Sequence, residues 1–526
     1  MVSRIAFLHR IIVCLLALTA TAWKDEAALA PKIDAMFFAK ANKPSAADDA
    51  EFLRRVWLDF DGGIPTTDEA RAFLTDQAAD KRTKLLDRLI AAPRYAARMA
   101  DPFHVMLMER RGDSETWKAW LVESFKTNKP WDMMVREMLA PDFLSEQQRG
   151  AGYFITRRLE KVGQQDTDYP GLTRDVGRMF MGIDLQCCQC HRHLSVNDYK
   201  QIDFSGLYAV YQNLKLQPAD DRHKTAWVSE GLIAAKYEFV SVLTDKKAQT
   251  APRIPFGEEV LIPVATSDDA WLIKPDRKTK EPGQPKFSPL REIAQRVPAP
   301  ENTLFAKNIA NRVWFLLIGQ GIVEPLDLHH TENPPTHPEL LDLLAKELTT
   351  HRFDLRWLIR EIALTQTYQR AGAHQRHLTA EQQLRAFLTA TGERERLEKN
   401  TKPDVKSDAL KYSLADFEKA FAAALANPAK EPELAANPSL RSALFFRNSD
   451  HVHWALKPRE GNLIARLAQQ TDPAEDLYLT ILTRQPDNEE KAQLKSWLTA
   501  HAADKSKALG DYAWALLSST EFFVNH

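Results

Sequence analysis

Apolar side chains recur three and four positions apart through most of the chain, and that spacing predicts a protein built mainly from helices. Phe52, Leu53, Val56, Trp57 and Phe60 form one such stripe, closed by Gly62-Gly63. Thr66 with Glu69 has the spacing of a capping box for a following helix that carries Ala70 and Phe73. Leu85, Leu86, Leu89 and Ile90 make the next stripe, stopped near Pro93, and Trp117, Trp120, Leu121 and Ser124 share a further face closed by Lys129-Pro130. Met133, Met134 and Met138 follow in a short helix, where methionines serve as core filler.

The pattern changes over residues 215–300. Tyr237–Leu243 and Val260–Val264 are β-prone and separated by Pro252, Pro255 and Gly257, so a small strand pair is expected; residues 275–300 are rich in Pro and Lys and read as a linker. Helical periodicity returns near Phe305. Thr336-His337-Pro338-Glu339 is expected to start a helix, with Thr336 as cap and Pro338 in the first turn, and Leu340, Leu341, Leu344 and Leu348 give its buried face. Leu355, Leu358, Ile359 and Ile362 give the face of the next. Residues 371–411 are charged, with Glu393-Arg394-Glu395-Arg396 among them, and predict a solvated helix or linker. Asp472-Pro473-Ala474-Glu475 marks a late helix start.

The expected fold class is therefore mainly α: two multi-helix domains, residues 23–214 and 301–526, joined by a short β-containing insert and Pro-rich linker at 215–300. Residues 1–22 are expected to be an export signal rather than part of the fold. Arg4 and Arg10 precede the apolar run Ile11–Leu18, and Ala20-Thr21-Ala22 supplies small residues for cleavage after Ala22. That run is too short to span a bilayer comfortably, and no second stretch of about eighteen apolar residues predicts a transmembrane anchor. The expected location is periplasmic or extracellular.

Charge narrows the partners. The whole chain has 70 basic and 71 acidic residues; loss of the signal removes two arginines and no acid, leaving 68 against 71. A protein whose main partner is nucleic acid needs a basic surplus on one face, so that class is disfavoured. Composition is that of an ordinary globular protein, 44% hydrophobic and 27% charged.

Cysteine placement carries the sharpest chemistry. Of four cysteines, Cys14 lies in the signal and the other three crowd into Cys187-Cys188-Gln189-Cys190-His191. An exported protein stapled by disulfides would spread its cysteines along the chain. Cys-x-x-Cys-His is the attachment sequence of c-type haem: Cys187 and Cys190 would form the thioether anchors and His191 would bind iron. Three alternatives stay open. Cys187 and Cys190 can pair as a disulfide or redox couple, can bind zinc with His191 and His193, or can be inert. A haem would present a second iron face. His193 is too close to His191 to reach it, and His329, His330, His337, His351, His451, His453 and the methionines are the candidates. No Gly-x-Ser-x-Gly, Walker-type loop or His-Glu-x-x-His motif points to a hydrolase or nucleotide site, and the carboxylate pair Asp59 and Asp61 reads as a helix end.

These residues resemble the secreted planctomycete-type proteins that join the domains of unknown function 1549 and 1553, described as cytochrome-c-like. The first domain is carried by Phe52-Leu53-Arg54-Arg55, Gly63-Ile64-Pro65-Thr66, Ala91-Ala92-Pro93-Arg94-Tyr95 and Leu185-Gln186-Cys187-Cys188-Gln189-Cys190-His191. The second is carried by Asn311-Arg312-Val313-Trp314, Asn333-Pro334-Pro335-Thr336-His337-Pro338-Glu339 and Thr367-Tyr368-Gln369. Two departures appear: residues 23–50 leave no room for the separate cytochrome domain often found upstream, and the usual His-Asp-His-Pro continuation is His191-Arg192-His193-Leu194 here. The resemblance implies export and this domain pair, and transfers no established reaction. The leading expectation is a covalent-haem redox protein acting with a redox partner. The rival is a non-enzymatic scaffold or binding module with a Cys187–Cys190 disulfide. Its twelve tryptophans would face a polysaccharide or a partner such as the secreted sulfatase-like enzymes this family is associated with.

Overall fold

The computed structural model describes residues 28–39, 44–263, 271–276, 278, 282–372, 375–399, 411–430 and 439–525. The expected signal and Cys14 lie outside them. The chain is 56% helical, and its strands form small two-stranded antiparallel sheets. Among the described residues no helix is long and apolar enough to cross a membrane.

The periodic stripes become buried helix faces. Asp49–Phe60 buries Phe52, Leu53, Val56 and Phe60 at 0% exposure. Thr66 and Glu69 close the expected capping box on Thr67–Thr75, satisfying N–H groups that a helix start otherwise leaves free. Thr336 departs from expectation. His337 is the N-cap of Pro338–Thr350, whereas Thr336 turns away and donates to Ile322 O at 3.1 Å. An available carbonyl outcompeted the cap.

The insert also differs from its sequence reading. Tyr237–Val240 is a strand, but it pairs with Lys247–Thr250 through a tight turn in which Asp245 takes φ 53°. Residues 260–263 form no strand; the Val260 N–H donates to Pro252 O at 2.7 Å and its side chain is buried. Within the Pro-rich stretch, Ser288 caps the helix Pro289–Arg296, which buries Leu290, Ile293 and Ala294. The cue was Ser followed by Pro at the first helical position.

Two apolar clusters divide the interior. The first gathers Leu29 to Tyr368 with Leu479 and takes in helices on both sides of the insert; the second gathers Leu378 to Phe522 with Leu58 and Ile64. The helix Asp49–Phe60 therefore serves both. Arg54, 1% exposed, donates from it to Ile481 O at 3.2 Å and Phe522 O at 2.8 Å. Asp59 accepts from Tyr368 Oη at 2.8 Å and Asn525 Nδ2 at 3.1 Å and pairs with Arg376, while Asp61 pairs with Arg394 at 2.7 Å. The helix-end pair is thus a buried clasp between the clusters. The start of its partner segment is not solvated as its charges suggested: Glu393 is 0% exposed and pairs with Arg396 and Arg459, whereas Glu395, Glu398 and Lys399 are exposed and residues 400–410 lie outside the described ones. Burying a charge is costly unless it is paired or, as with Arg54, hydrogen-bonded to carbonyls.

A second charged knot lies under the helix Tyr169–Met181. Asp175 pairs with Arg158 at 2.7 Å, Arg178 at 2.9 Å and Arg111 at 3.1 Å; Arg178 also reaches Glu109 at 2.6 Å and Asp327 at 3.1 Å. Burial alone would raise the Asp175 carboxyl, but the Arg158, Arg178 and Arg111 guanidiniums hold it at about 2. Because the folded value lies below the unfolded one near 3.8, the stabilisation is full above pH 3.8 and is lost as pH falls toward 2. It amounts to about 2 kcal/mol. Asp175→Asn is expected to remove this acid-limb dependence and to lower stability at pH 7 by about 3–5 kcal/mol, because it leaves buried guanidiniums short of charge. Urea midpoints measured from pH 2 to 7 check both.

Candidate functional site

The Cys-x-x-Cys-His segment follows directly from the helix that carries this knot. Gly182 ends Tyr169–Met181 in the left-handed region at φ 67°, and Ile183 bridges to Leu328. Leu185 and Cys188 are both 0% exposed, and a single 3-10 turn, Cys187–Gln189, opens the motif with Cys190 as its C-cap. With Cys188 turned into the core, Cys187 and Cys190 are left exposed. Burial pushes the Cys188 thiol up to about 12, so it stays protonated and unreactive. The third thiol, whose role the sequence left open, is a core residue.

His191 is half-buried, and its Nδ1 lies 2.5 Å from Arg192 O. A carbonyl oxygen can only accept, so Nδ1 carries a proton, and in the neutral ring Nε2 keeps its lone pair. His193 has the opposite tautomer. Its Nδ1 accepts from the Val196 N–H at 2.9 Å, which places its proton on Nε2. Its own N–H donates to Tyr199 O at 3.0 Å.

Elements distant in sequence brace the loop. Tyr199 Oη donates to His329 O at 3.1 Å, Asp198 accepts the Thr331 N–H at 2.7 Å, and the His329 N–H donates to Gly182 O at 2.9 Å. From the insert, the Val242 N–H donates to Cys190 O at 3.1 Å. Large apolar side chains stand bare here: Val242 is 66% exposed, Leu243 54% and Leu194 68%. A groove of about 400 Å³ beside the loop is bordered by Cys187, His193, Tyr199, Leu328 and His330.

Of the histidines considered for a second iron face, His330 reaches this groove. Its ring meets Tyr199 edge-on at 5.4 Å, its buried Nδ1 has no partner among the described residues, and burial holds its basicity below the ordinary histidine range. His329 sits just behind it, buried. The others are elsewhere: His337 stacks on Phe37, His351 on Trp357 and His451 on Tyr412, and His453 contacts Arg447 O at 2.8 Å. Sequence spacing alone could not separate His330 from the other five, because the contact depends on the fold of residues 326–331. Among the described residues no three His, Cys, Asp or Glu side chains converge as a metal-ion ligand set, so Cys187, Cys190, His191 and His193 do not surround one point.

The donor chemistry fits covalent haem: two outward thiols on one turn, an inward third, and an adjacent imidazole with Nε2 free. The surroundings supply bare apolar side chains and a groove, not an enclosed slot.

Residues 32–216 match the family PSCyt2, described as "Protein of unknown function (DUF1549)", and residues 291–405 match PSD1, "Protein of unknown function (DUF1553)". The chain combines these two domains in that order, with the cysteine loop in the first and His330 in the second. No curated protein and no solved structure matches it.

Gly182 is the pivot between the two domains at this point. A Cβ there would meet His329 Cδ2 at 2.5 Å and Asn308 Oδ1 at 2.9 Å, besides the positive φ. Gly182→Ala is expected to cost about 2 kcal/mol or more. Hydrogen exchange should show the loss as faster exchange across residues 183–199 and 326–331; an unchanged pattern would contradict the bracing described.

Proposed function

We propose that the chain is a covalent-haem redox protein in which Cys187 and Cys190 anchor the group and His191 Nε2 faces its iron. The observation that carries this reading is the outward pair of thiols beside the inward Cys188, with exposed Val242 joined through its N–H to Cys190 O and exposed Leu194 following the motif in the chain. Bare apolar side chains at one place call for something to cover them, and a porphyrin face is apolar. When bound, haem would supply one-electron transfer. The chain's own part is orientation. The Arg192 carbonyl fixes the His191 tautomer, as carbonyls behind ligating imidazoles do. The loop lies at the surface, which suits exchange with a soluble redox partner outside the cytoplasm, where the expected signal would send the protein.

Production with haem-maturation machinery is expected to give a coloured protein whose intact mass exceeds the apo chain by one haem, with the colour surviving acid extraction. Cys187→Ala/Cys190→Ala should lose colour and added mass together. A colourless product two hydrogens lighter than the reduced chain would instead identify a Cys187–Cys190 disulfide and favour the scaffold. For that second reading the tryptophans give little help. Of the eleven described, eight are buried and none is exposed, so they pack the core rather than form a polysaccharide platform.

A further inference from the structure

Arg98, on the helix Pro93–Met108, is a buried cation with no carboxylate in contact among the described residues. It is 3% exposed, its Nε donates to Leu58 O at 3.1 Å, its Nη1 has no partner, and it makes no ion pair among the described residues. Its stem runs against Gly62, where a Cβ would meet Arg98 Cδ at 2.8 Å; glycine at φ 83° makes room for it. Burial, opposed by the nearby Asp59 and Asp101, holds the guanidinium below the ordinary arginine range. A guanidinium taken out of water and left unpaired is costly, so such an arrangement calls for an anion that is not part of the chain.

The side chain lines a cavity of about 160 Å³ between segments of the two matched domains. Every other guanidinium on its wall is engaged: Arg178 with Glu109, Arg312 with Asp327, and Arg376 with Asp59. Of the three carboxylates on the wall, Glu109 and Asp327 are those partners, and Glu381 is held by Arg110 at 3.0 Å. Arg98 is therefore the unspent donor. His377, Thr379 and Gln382 add polar groups, and Pro102, Phe103, Met106, Phe315 and Leu316 form an apolar part of the wall. The cavity adjoins a charged cleft of about 720 Å³, and Arg98 and Glu381 belong to both walls, which gives a route in.

We infer that this cavity binds a small organic carboxylate, its carboxyl group on Arg98 and its apolar body against Met106, Phe315 and Leu316. A planar guanidinium fork matches a carboxylate, and the apolar wall disfavours a hydrated inorganic ion. The site is distinct from the cysteine loop and does not depend on haem.

Calorimetric titration of the full chain with benzoate is expected to show saturable one-to-one binding, with none for benzylamine of the same shape and opposite charge. Arg98→Met, which keeps the stem and removes the fork, should weaken benzoate at least about tenfold. Met106→Trp, which fills the apolar end and leaves Arg98 in place, should abolish binding and carries the test should Arg98→Met fail to fold by circular dichroism. No saturable benzoate binding to the wild type, unchanged affinity in a folded variant, or sulfate binding as tightly as benzoate would each overturn the inference.

Discussion

Arg178 holds the molecule's two halves in one arrangement. From the helix leading into the cysteine loop it reaches Asp175 on its own helix, Glu109 at the end of Pro93–Met108, and Asp327 in the second matched domain. Burial penalises such a charge, and three carboxylates more than offset that penalty, so the guanidinium is held charged across the pH range. A carboxylate removed from this knot strands a charge in the core. The packing of Tyr169–Met181 on Thr303–Ile318 is thereby fixed, and with it the direction in which the chain leaves Gly182.

The chemistry of the loop is a consequence of that direction. Once Leu185 and Cys188 enter the core, a 3-10 turn has no freedom to bury Cys187 or Cys190 as well. The same docking brings residues 326–331 alongside, so Tyr199 and His330 meet although one lies in each matched domain. The insert joins the loop through the Val242 N–H, which donates to Cys190 O. The motif and the surface around it belong to one construction, which neither domain completes alone.

Much of this was legible from residue spacing. The stripes at 52–60, 85–90, 117–124 and 340–348 became buried faces because tertiary burial follows the same 3.6-residue period that amphipathic spacing records. What failed had other causes. Thr336 found a carbonyl instead of capping, and Val260 was drawn into a turn. Glu393-Arg394 looked solvated because a sequence shows charge without showing the partners, here Arg459 and Asp61, that let it be buried. The cysteines could be read as a motif, but not as two outward thiols and one inward. His330 stood level with five other histidines, and Arg98 carried no signal at all, since an unpaired cation differs from a paired one only in what surrounds it.

The outward–inward division of the three thiols is the geometric fact from which the functional reading follows. Maleimide labelling of the folded, reduced apoprotein, mapped by peptide mass spectrometry, measures it directly. The structure predicts modification of Cys187 and Cys190 with Cys188 protected until the protein is unfolded. Labelling of Cys188 at a rate equal to its neighbours would contradict it.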